Sequence, residues 1–325
     1  MKMLFCSVGR RAKLLQNLKD FNSDAEILAT DCSKYAPALY CADKFFLSPR
    51  IDDPSYLSYI LELCKDNSVQ AITTLIDSEI EVLSDNREKL INCGVLPLCP
   101  SYETAKLCFD KFEMYKFLTA KNINTVLTYD SLDGFKSGLS NNKINFPVFI
   151  KPRTGSASVG AEKIHELTQL EDRINSHEDN YFIIQELMYG EDIDVDVYVD
   201  CISNKAVSAF SKKKIETKIG GASKTISFKD EALFDVIKSI IPHFEFYGPI
   251  DIDFFYKDGK YFLSEINPRF GGAYLHAYGA GVNFFELIQN NINNTENSEA
   301  FGIYDEDVVM MMYDDVVIKH SSELA

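Results

Sequence analysis

The sequence predicts an α/β unit followed by an α+β region, and three observations carry that prediction. The first hundred residues alternate short apolar strand runs with helical patterns. A Pro-rich join, Val95-Leu-Pro-Leu-Cys-Pro-Ser101, then interrupts the alternation. Beyond it strand runs dominate, above all in Gly248–Gly272, where two β-type runs flank an Asp258-Gly259 turn.

Met3–Ser7 reads as a first strand, followed by a helical pattern through Leu14, Leu15, Leu18 and Phe21. Ile27–Thr30, Lys44–Leu47 and Ala71–Leu75 read as further strands, with helices over residues 54–66 and from Asp77 to about Asn92. Such a series predicts an open parallel sheet, whose ligands sit beyond the strands' carboxyl ends, where Asp31 and Asp77 fall. After the join, Ser101 suits a helix cap, and Asp110-Lys111 opens a helix to about Ala120. Phe146–Pro152 is a strand bounded by prolines, and Gly155–Gly160 is a small-residue loop between β-type segments. Leu167–Ile174 is helical and Tyr181–Leu187 a strand. Asp192–Asp200 is a strand with an acidic face, Ser208–Lys218 a lysine-rich strand, and 220–224 a flexible loop. Ala232–Ile241 and Phe284–Asn291 are helices, and Val308–Tyr313 a last strand.

A chain of 325 residues with 46% hydrophobic and 25% charged content is globular, with room for two or three cores. A net charge of −16 argues against non-specific nucleic-acid or anionic-membrane binding. The eight cysteines form no C-x-x-C pair, and the five histidines show no metal spacing. The N-terminal apolar stretch is too short for a signal peptide, and no run approaches the roughly 20 apolar residues of a membrane span. A reducing cytoplasm is the expected compartment, with no nucleic-acid or membrane partner.

The chemistry concentrates in the hairpin. One run carries Asp251 and Asp253, the other Glu265, Asn267 and Arg269. Hard oxygen donors beside one fixed cation suit magnesium and a polyphosphate. Whether the two sets share a face depends on the turn. A two-residue turn pairs Asp253 with Ser264 and sends Glu265 to the other face. A three-residue Lys-Asp-Gly loop with a bulge at Gly259 sets Asp251 opposite Glu265, and that bulged turn is the expectation.

Lys151 interrupts an otherwise apolar strand, so its ammonium wants an anion. The 155–160 loop lets backbone N–H groups approach phosphate oxygens, although no Gly-Lys-Ser/Thr makes it a P-loop. The segment at Gln185-Glu186-Leu187 suits reading of an adenine edge through the backbone, and Glu191 could accept from ribose hydroxyls. Lys212, Lys213, Lys214 and Lys218 suggest an anionic ligand in a chain otherwise this acidic. The plain alternatives are a solvated turn for 155–160, a solvated strand end for Gln185–Leu187 and a solvated strand face for the lysine cluster.

Together these pieces resemble the ATP-grasp superfamily, and within it the carbamoyl-phosphate-synthase-like carboxylate–amine ligases. The resemblance rests on Ser7-Val-Gly-Arg-Arg11, Leu75-Ile-Asp-Ser-Glu79, Asp110-Lys111, Phe149-Ile-Lys-Pro-Arg153, Gly155–Gly160, Gln185-Glu186, Gly190-Glu191 and Ser264-Glu-Ile-Asn-Pro-Arg269. It implies a pre-ATP-grasp Rossmann-like parallel sheet over residues 1–97 and an ATP-grasp fold over 98–325. Within the latter, a nucleotide-clasping subdomain would cover about 115–187 and a metal-site subdomain about 188–325. It implies ATP contacts from Lys111, Lys151, Gly155, Ser156, Ser158, Val159, Gly160, Gln185, Glu186, Leu187 and Glu191. Asp253, Glu265 and Asn267 would hold Mg2+ (or Mn2+), and Arg269 with Lys151 would act on the transferring phosphoryl group. Asp253 stands where the synthase pattern often has glutamine. Arg153, Lys212 and Lys214 are the expected contacts for an acid substrate, and Asp77 and Glu79 for an amine. The implied reaction joins a small-molecule carboxylate to an amine through an acylphosphate; homodimers are common in such families, but the sequence does not set the oligomeric state. A module phosphorylating bicarbonate or carbamate, and a non-catalytic nucleotide binder, are the alternatives.

Overall fold

The structure, a computed structural model, describes residues 1–155, 160–178, 180–218 and 221–324. Strands β1 (Lys2–Cys6), β2 (Glu26–Asp31), β3 (Lys44–Leu47), β4 (Ala71–Thr74) and β5 (Leu96–Pro97) form a parallel sheet in the order β3-β2-β1-β4-β5. The order reverses between β1 and β4. Both central strands are buried on two faces, which explains their apolar or small side chains. Beyond their carboxyl ends lie Ser7–Arg11 and the helix Asp77–Asp85. The expected helix to Asn92 is two helices, Asp77–Asp85 and Arg87–Asn92.

Strands β6 (Thr128–Tyr129), β7 (Val148–Pro152), β8 (Glu162–Ile164) and β9 (Phe182–Glu186) form a second sheet in the order β6-β9-β7-β8. Val148, Ile150, Ile164 and Ile184 pack beneath Phe135 and Leu170 of the helices Leu132–Ser140 and Leu167–Asn175. The 155–160 loop joins antiparallel β7 and β8, as expected. Ser156, Ser158 and Val159 lie outside the described residues. Ser101 caps the helix Tyr102–Phe109 by accepting from the Thr104 N–H, and Asp110 caps Lys111–Ala120 through the Phe112 and Glu113 N–H groups.

The third sheet holds the largest apolar core. Its strands β10 (Glu191–Val199), β11 (Ala206–Lys218), β12 (Gly221–Phe228), β13 (Gly248–Lys257), β14 (Lys260–Asn267) and β15 (Val309–Met311) run in the order β14-β13-β10-β11-β12-β15. Period-two alternation splits β10 and β13 cleanly. Ile193, Val195 and Val197 with Ile250, Ile252 and Phe254 join the core with Phe234 and Ile237 of the helix Glu231–Ile240, while the intervening aspartates take the other face. The segment expected as a flexible loop at 220–224 is a strand from Gly221, because pairing with β11 buries Ala222 and Thr225.

The expected three-residue turn is absent. Lys257 pairs with Lys260, so Asp258 and Gly259 form a two-residue turn with both φ angles positive, at 51° and 75°. Ser264 nevertheless bulges out of β14, so Phe254 faces Leu263 and Asp253 faces Glu265, with Asp251 opposite Asn267 rather than Glu265. The bulge lies inside the strand instead of at the turn. It returns the carboxylates to one face, which a straight register after this turn would not do.

Ile252→Ala, at a fully buried position of β13, is expected to lower stability by about 2–5 kcal/mol in denaturant titration without changing the m-value.

Candidate active site

Strand pairing assembles the site. Asp253 on β13 faces Glu265 on β14 and Asp194 on β10, and Asp194 in turn faces Lys212 on β11. Lys214 Nζ lies 2.5 Å from Asp253 Oδ1 and 2.9 Å from Asp192 Oδ1. Lys111, the first residue of its helix, places Nζ 3.4 Å from Glu265 Oε1 and 2.5 Å from the Gly155 carbonyl. Lys151 on β7 has no ion-pair partner within 4.0 Å among the described residues. Burial pushes its ammonium below the usual lysine range, with Lys111 adding to the push and Glu265 opposing it. An unpaired ammonium near Lys111 and the acids Glu265 and Asp253 is what a polyphosphate would neutralise.

Burial raises the Asp253 carboxyl, against the pull of Lys214. Lys214 is itself held well above the lysine range by Asp253, Asp194 and Asp192, although burial opposes this. Asp253, Glu265 and Asn267 offer hard oxygens on one face, a donor set that fits a magnesium-sized cation. Their present counter-charges are lysines from β11 and the Lys111–Ala120 helix.

Arg269 reaches across to the parallel-sheet unit. Its Nε and Nη2 lie 2.7 and 3.1 Å from the two oxygens of Asp77, and Nη1 lies 3.7 Å from Asp251 Oδ2. Arg11 follows the same route, donating from Nη2 to the carbonyls of Phe270 and Gly271 at 3.2 and 2.7 Å. Burial and the nearby Arg269 lower the Arg11 guanidinium to about 10. Arg11 entered the sequence reading only as part of a motif, and nothing along the chain points its side chain at residues 270–271.

Several expected substrate contacts are occupied. Lys212 is fully buried, 2.8 Å from Asp194 and 2.5 Å from Asp196, so it cannot touch a substrate. Arg153 is held by Asp110 and Glu113, at 2.8 and 3.0 Å. Asp77 is taken by Arg269. Glu79 is fully buried and accepts from the Thr74 hydroxyl at 2.6 Å, so it is not an open ammonium site. Gln185 points its amide into the interior, donating to Thr128 Oγ1, which leaves its backbone for any adenine contact. Glu186 pairs with Lys257 and Glu191 with Lys213. Each of these partners lies on a different strand or helix, a relation the sequence order hides.

Sequence reasoning read β10 as acidic but assigned Asp194 and Asp196 no role. These two, with Asp251, form a buried trio around Lys212. Burial raises Asp196 to about 6 and lifts Asp251 well above the carboxylate range. Asp194 stays below it, because Lys212 and Lys214 outweigh its burial. The signal was legible in Asp192-x-Asp194-x-Asp196 beside Lys212-x-Lys214: equal spacing on two strands that could pair face to face.

Two sequence-family models match the chain: a PylC-like N-terminal domain over residues 3–98 and an ATP-grasp domain over residues 108–273. The chain belongs to the ATP-grasp family. A D-alanine–D-alanine ligase from Acetivibrio thermocellus is 24% identical over 230 residues, 62% of this chain and 60% of that relative. The match thus spans about three fifths of the relative's length. Among solved ATP-grasp-like folds, N5-carboxyaminoimidazole synthetase from Staphylococcus aureus complexed with ADP superposes with a TM-score of 0.73 at 17% identity, over 92% of this chain and 78% of that one. An L-amino acid ligase from Bacillus licheniformis gives 0.66 at 14% identity, over 91% and 75%. At these identities the structures establish the fold. Among the described residues no helix is long and apolar enough to cross a membrane.

Lys212→Ala strips the buried aspartates of their cation and is expected to cost about 3–5 kcal/mol. Lys213→Ala, at an exposed pair with Glu191, should cost under about 1 kcal/mol; equilibrium unfolding of both variants checks the contrast. Burial raises Glu79 from 4.5 to about 8. A carboxyl raised on folding contributes fully below its unfolded value, and that contribution is lost as pH rises toward the folded one. Glu79→Gln should therefore flatten the fall in thermal midpoint between about pH 4.5 and 8.

Proposed function

We propose that this protein is an ATP- and Mg2+-dependent ligase that joins a small-molecule carboxylate to an amine, releasing ADP and phosphate. The observation that carries the reading is the Asp253–Glu265 cross-strand pair with Asn267 alongside, facing Lys111, Lys151 and Lys214. The family membership supports it, as do relatives named as ligases and as ADP complexes. In this reading residues 1–97 form the pre-grasp unit and 98–325 the grasp. The nucleotide lies between a subdomain of about 115–187 and one of about 188–325, with Gly155–Gly160 over its phosphates.

Asp253, Glu265 and Asn267 would hold the metal, which supplies charge neutralisation at phosphate oxygens. Lys111 and Lys151 fix the polyphosphate, and backbone groups of Glu186 and Leu187 hold adenine while Glu191 holds ribose. The substrate carboxylate attacks the γ-phosphorus, the bond to the β-bridging oxygen breaks, and ADP leaves. The amine nitrogen then attacks the acyl carbon, phosphate departs, and the nitrogen gives up a proton. Arg269, oriented by Asp77, meets charge on the moving phosphoryl group, so this chain's work is positioning and electrostatics.

Coupled ADP detection across pairs of acids and amines tests the reading. One pair should release ADP only when both partners are present, and Glu265→Ala should abolish it. ADP formation near the wild-type rate in Glu265→Ala overturns the assignment; release with bicarbonate alone identifies a carbamoyl-phosphate-type module instead.

A further inference from the structure

Glu79 is a buried carboxyl that the proposed chemistry leaves without a task. It stands at the third position of the helix Asp77–Asp85, whose N-cap residue is Ile76. A glutamate at that position usually turns back onto the N-cap N–H. Here Thr74, at the end of β4, comes between them. Its Oγ1 accepts from the Ile76 N–H at 3.2 Å and meets Glu79 Oε2 at 2.6 Å. Ile76 offers no capping side chain of its own. The relay through Thr74 is therefore what fixes the peptide just before Asp77.

The surroundings favour the neutral acid. Glu79 is fully buried, its Oε1 has no hydrogen-bond partner, and no lysine, arginine or histidine nitrogen lies within 4.0 Å of it among the described residues. Burial is the main cause of its rise to about 8; the Ser7 hydroxyl at the end of β1 opposes the rise, and Asp31 at the end of β2 adds to it. The Cys6 thiol of β1 is itself raised well above its ordinary range, by burial and by Glu79, and brings no charge. The helix Tyr102–Phe109, packed alongside, presents Cys108, also raised by burial. A protonated Glu79 donates to Thr74 Oγ1 and leaves the Thr74 proton for the Ile76 carbonyl, 3.4 Å away. An ionised Glu79 claims that proton for itself.

The peptide fixed in this way leads straight to the hairpin. Asp77 follows Ile76 and holds Arg269 Nε and Nη2 at 2.7 and 3.1 Å. Ser7, left-handed at a φ of 51°, opens the segment whose Arg11 grips the Phe270 and Gly271 carbonyls. Glu79 thus faces both connections from the parallel-sheet unit to Arg269 and the turn after it. We propose that Glu79 is a positioning residue for Arg269, locking the Thr74–Ile76 relay so that Asp77 presents the guanidinium to the terminal phosphoryl group. The proposal rests on the ligase reading and adds a control to that same site. Ionisation of Glu79 sets a second negative charge near Asp31, takes the Thr74 proton from the Ile76 carbonyl, and loosens the peptide that carries Asp77.

Titration calorimetry with MgADP, and with the magnesium complex of adenosine 5′-O-(3-thiotriphosphate), tests this at about pH 6.5 and about pH 9.5, on either side of the Glu79 ionisation. Only the second ligand carries the γ group that Arg269 meets. In the wild type it should bind about tenfold tighter than MgADP at the lower pH and within about twofold of it at the higher. In Glu79→Gln, which keeps a neutral donor, the preference of about tenfold should persist at both. Thr74→Val, which removes the relay, should show no preference at either, with MgADP affinity within about twofold of wild type. A merely structural loss would weaken both ligands together. Should Glu79→Gln fail to fold, the wild-type titrations and Thr74→Val decide alone. A wild-type preference indifferent to pH, one that still falls in Glu79→Gln, or one that survives in Thr74→Val overturns the role. Absence of MgADP binding in the wild type overturns the ligase reading instead. Infrared pH-difference spectra then read Glu79 without a nucleotide: a carboxylic-acid band should disappear around pH 8 in the wild type and be missing in Glu79→Gln. The same band change in both proteins overturns the proposal.

Discussion

The structure turns on how one sheet face carries so many carboxylates. Alternation along β10 and β13 puts Asp192, Asp194, Asp196, Asp251 and Asp253 on the face opposite the apolar core, and β14 adds Glu265. Like charges at cross-strand distance repel strongly in a low-dielectric setting, so each acid needs a cation or a proton. Lys212 and Lys214 supply it for the inner rows, and Lys111 approaches Glu265 at the rim. A gradient results. The deep end is closed by the protein's own Lys212, while the rim keeps oxygens and lysines where an external cation and anion can exchange with them.

The two units of the chain meet at this face. Arg269 and Arg11 link the hairpin and its following turn to Asp77 and to the β1 end of the parallel sheet. These contacts come from the place where the strand order reverses, which is where open α/β sheets present their ligand-binding loops. The parallel-sheet unit thus orients the guanidinium that the proposed chemistry depends on, and it does so with a carboxylate first read as a substrate contact.

Much of this was legible in the chain. Apolar runs and caps located the parallel sheet, Ser101 and Asp110 marked their helices, and hard oxygen donors on the hairpin drew attention to Asp251, Asp253, Glu265 and Asn267. Most of the failures share one cause, which is pairing across long sequence separations; the hairpin turn is the local exception. Residues 220–224 looked like a loop because glycine, alanine and serine have low strand propensity, yet the place of Gly221–Phe228 between β11 and β15 overrides that preference. The Asp-Gly turn took its own preferred two-residue form, and the strand absorbed the mismatch at Ser264. Lys212, Arg153 and Asp77 read as open charges because their partners, Asp196, Asp110 and Arg269, lie on other elements.

The central claim is that the Asp253–Glu265 face is the metal-bearing wall of a nucleotide site. Isothermal titration of the wild-type protein with ADP, in the presence of Mg2+ and then of EDTA, measures it most directly. The account predicts one nucleotide per chain, bound in magnesium and at least about tenfold weaker without it. ADP binding that is indifferent to the metal, or no binding in its presence, would contradict the account.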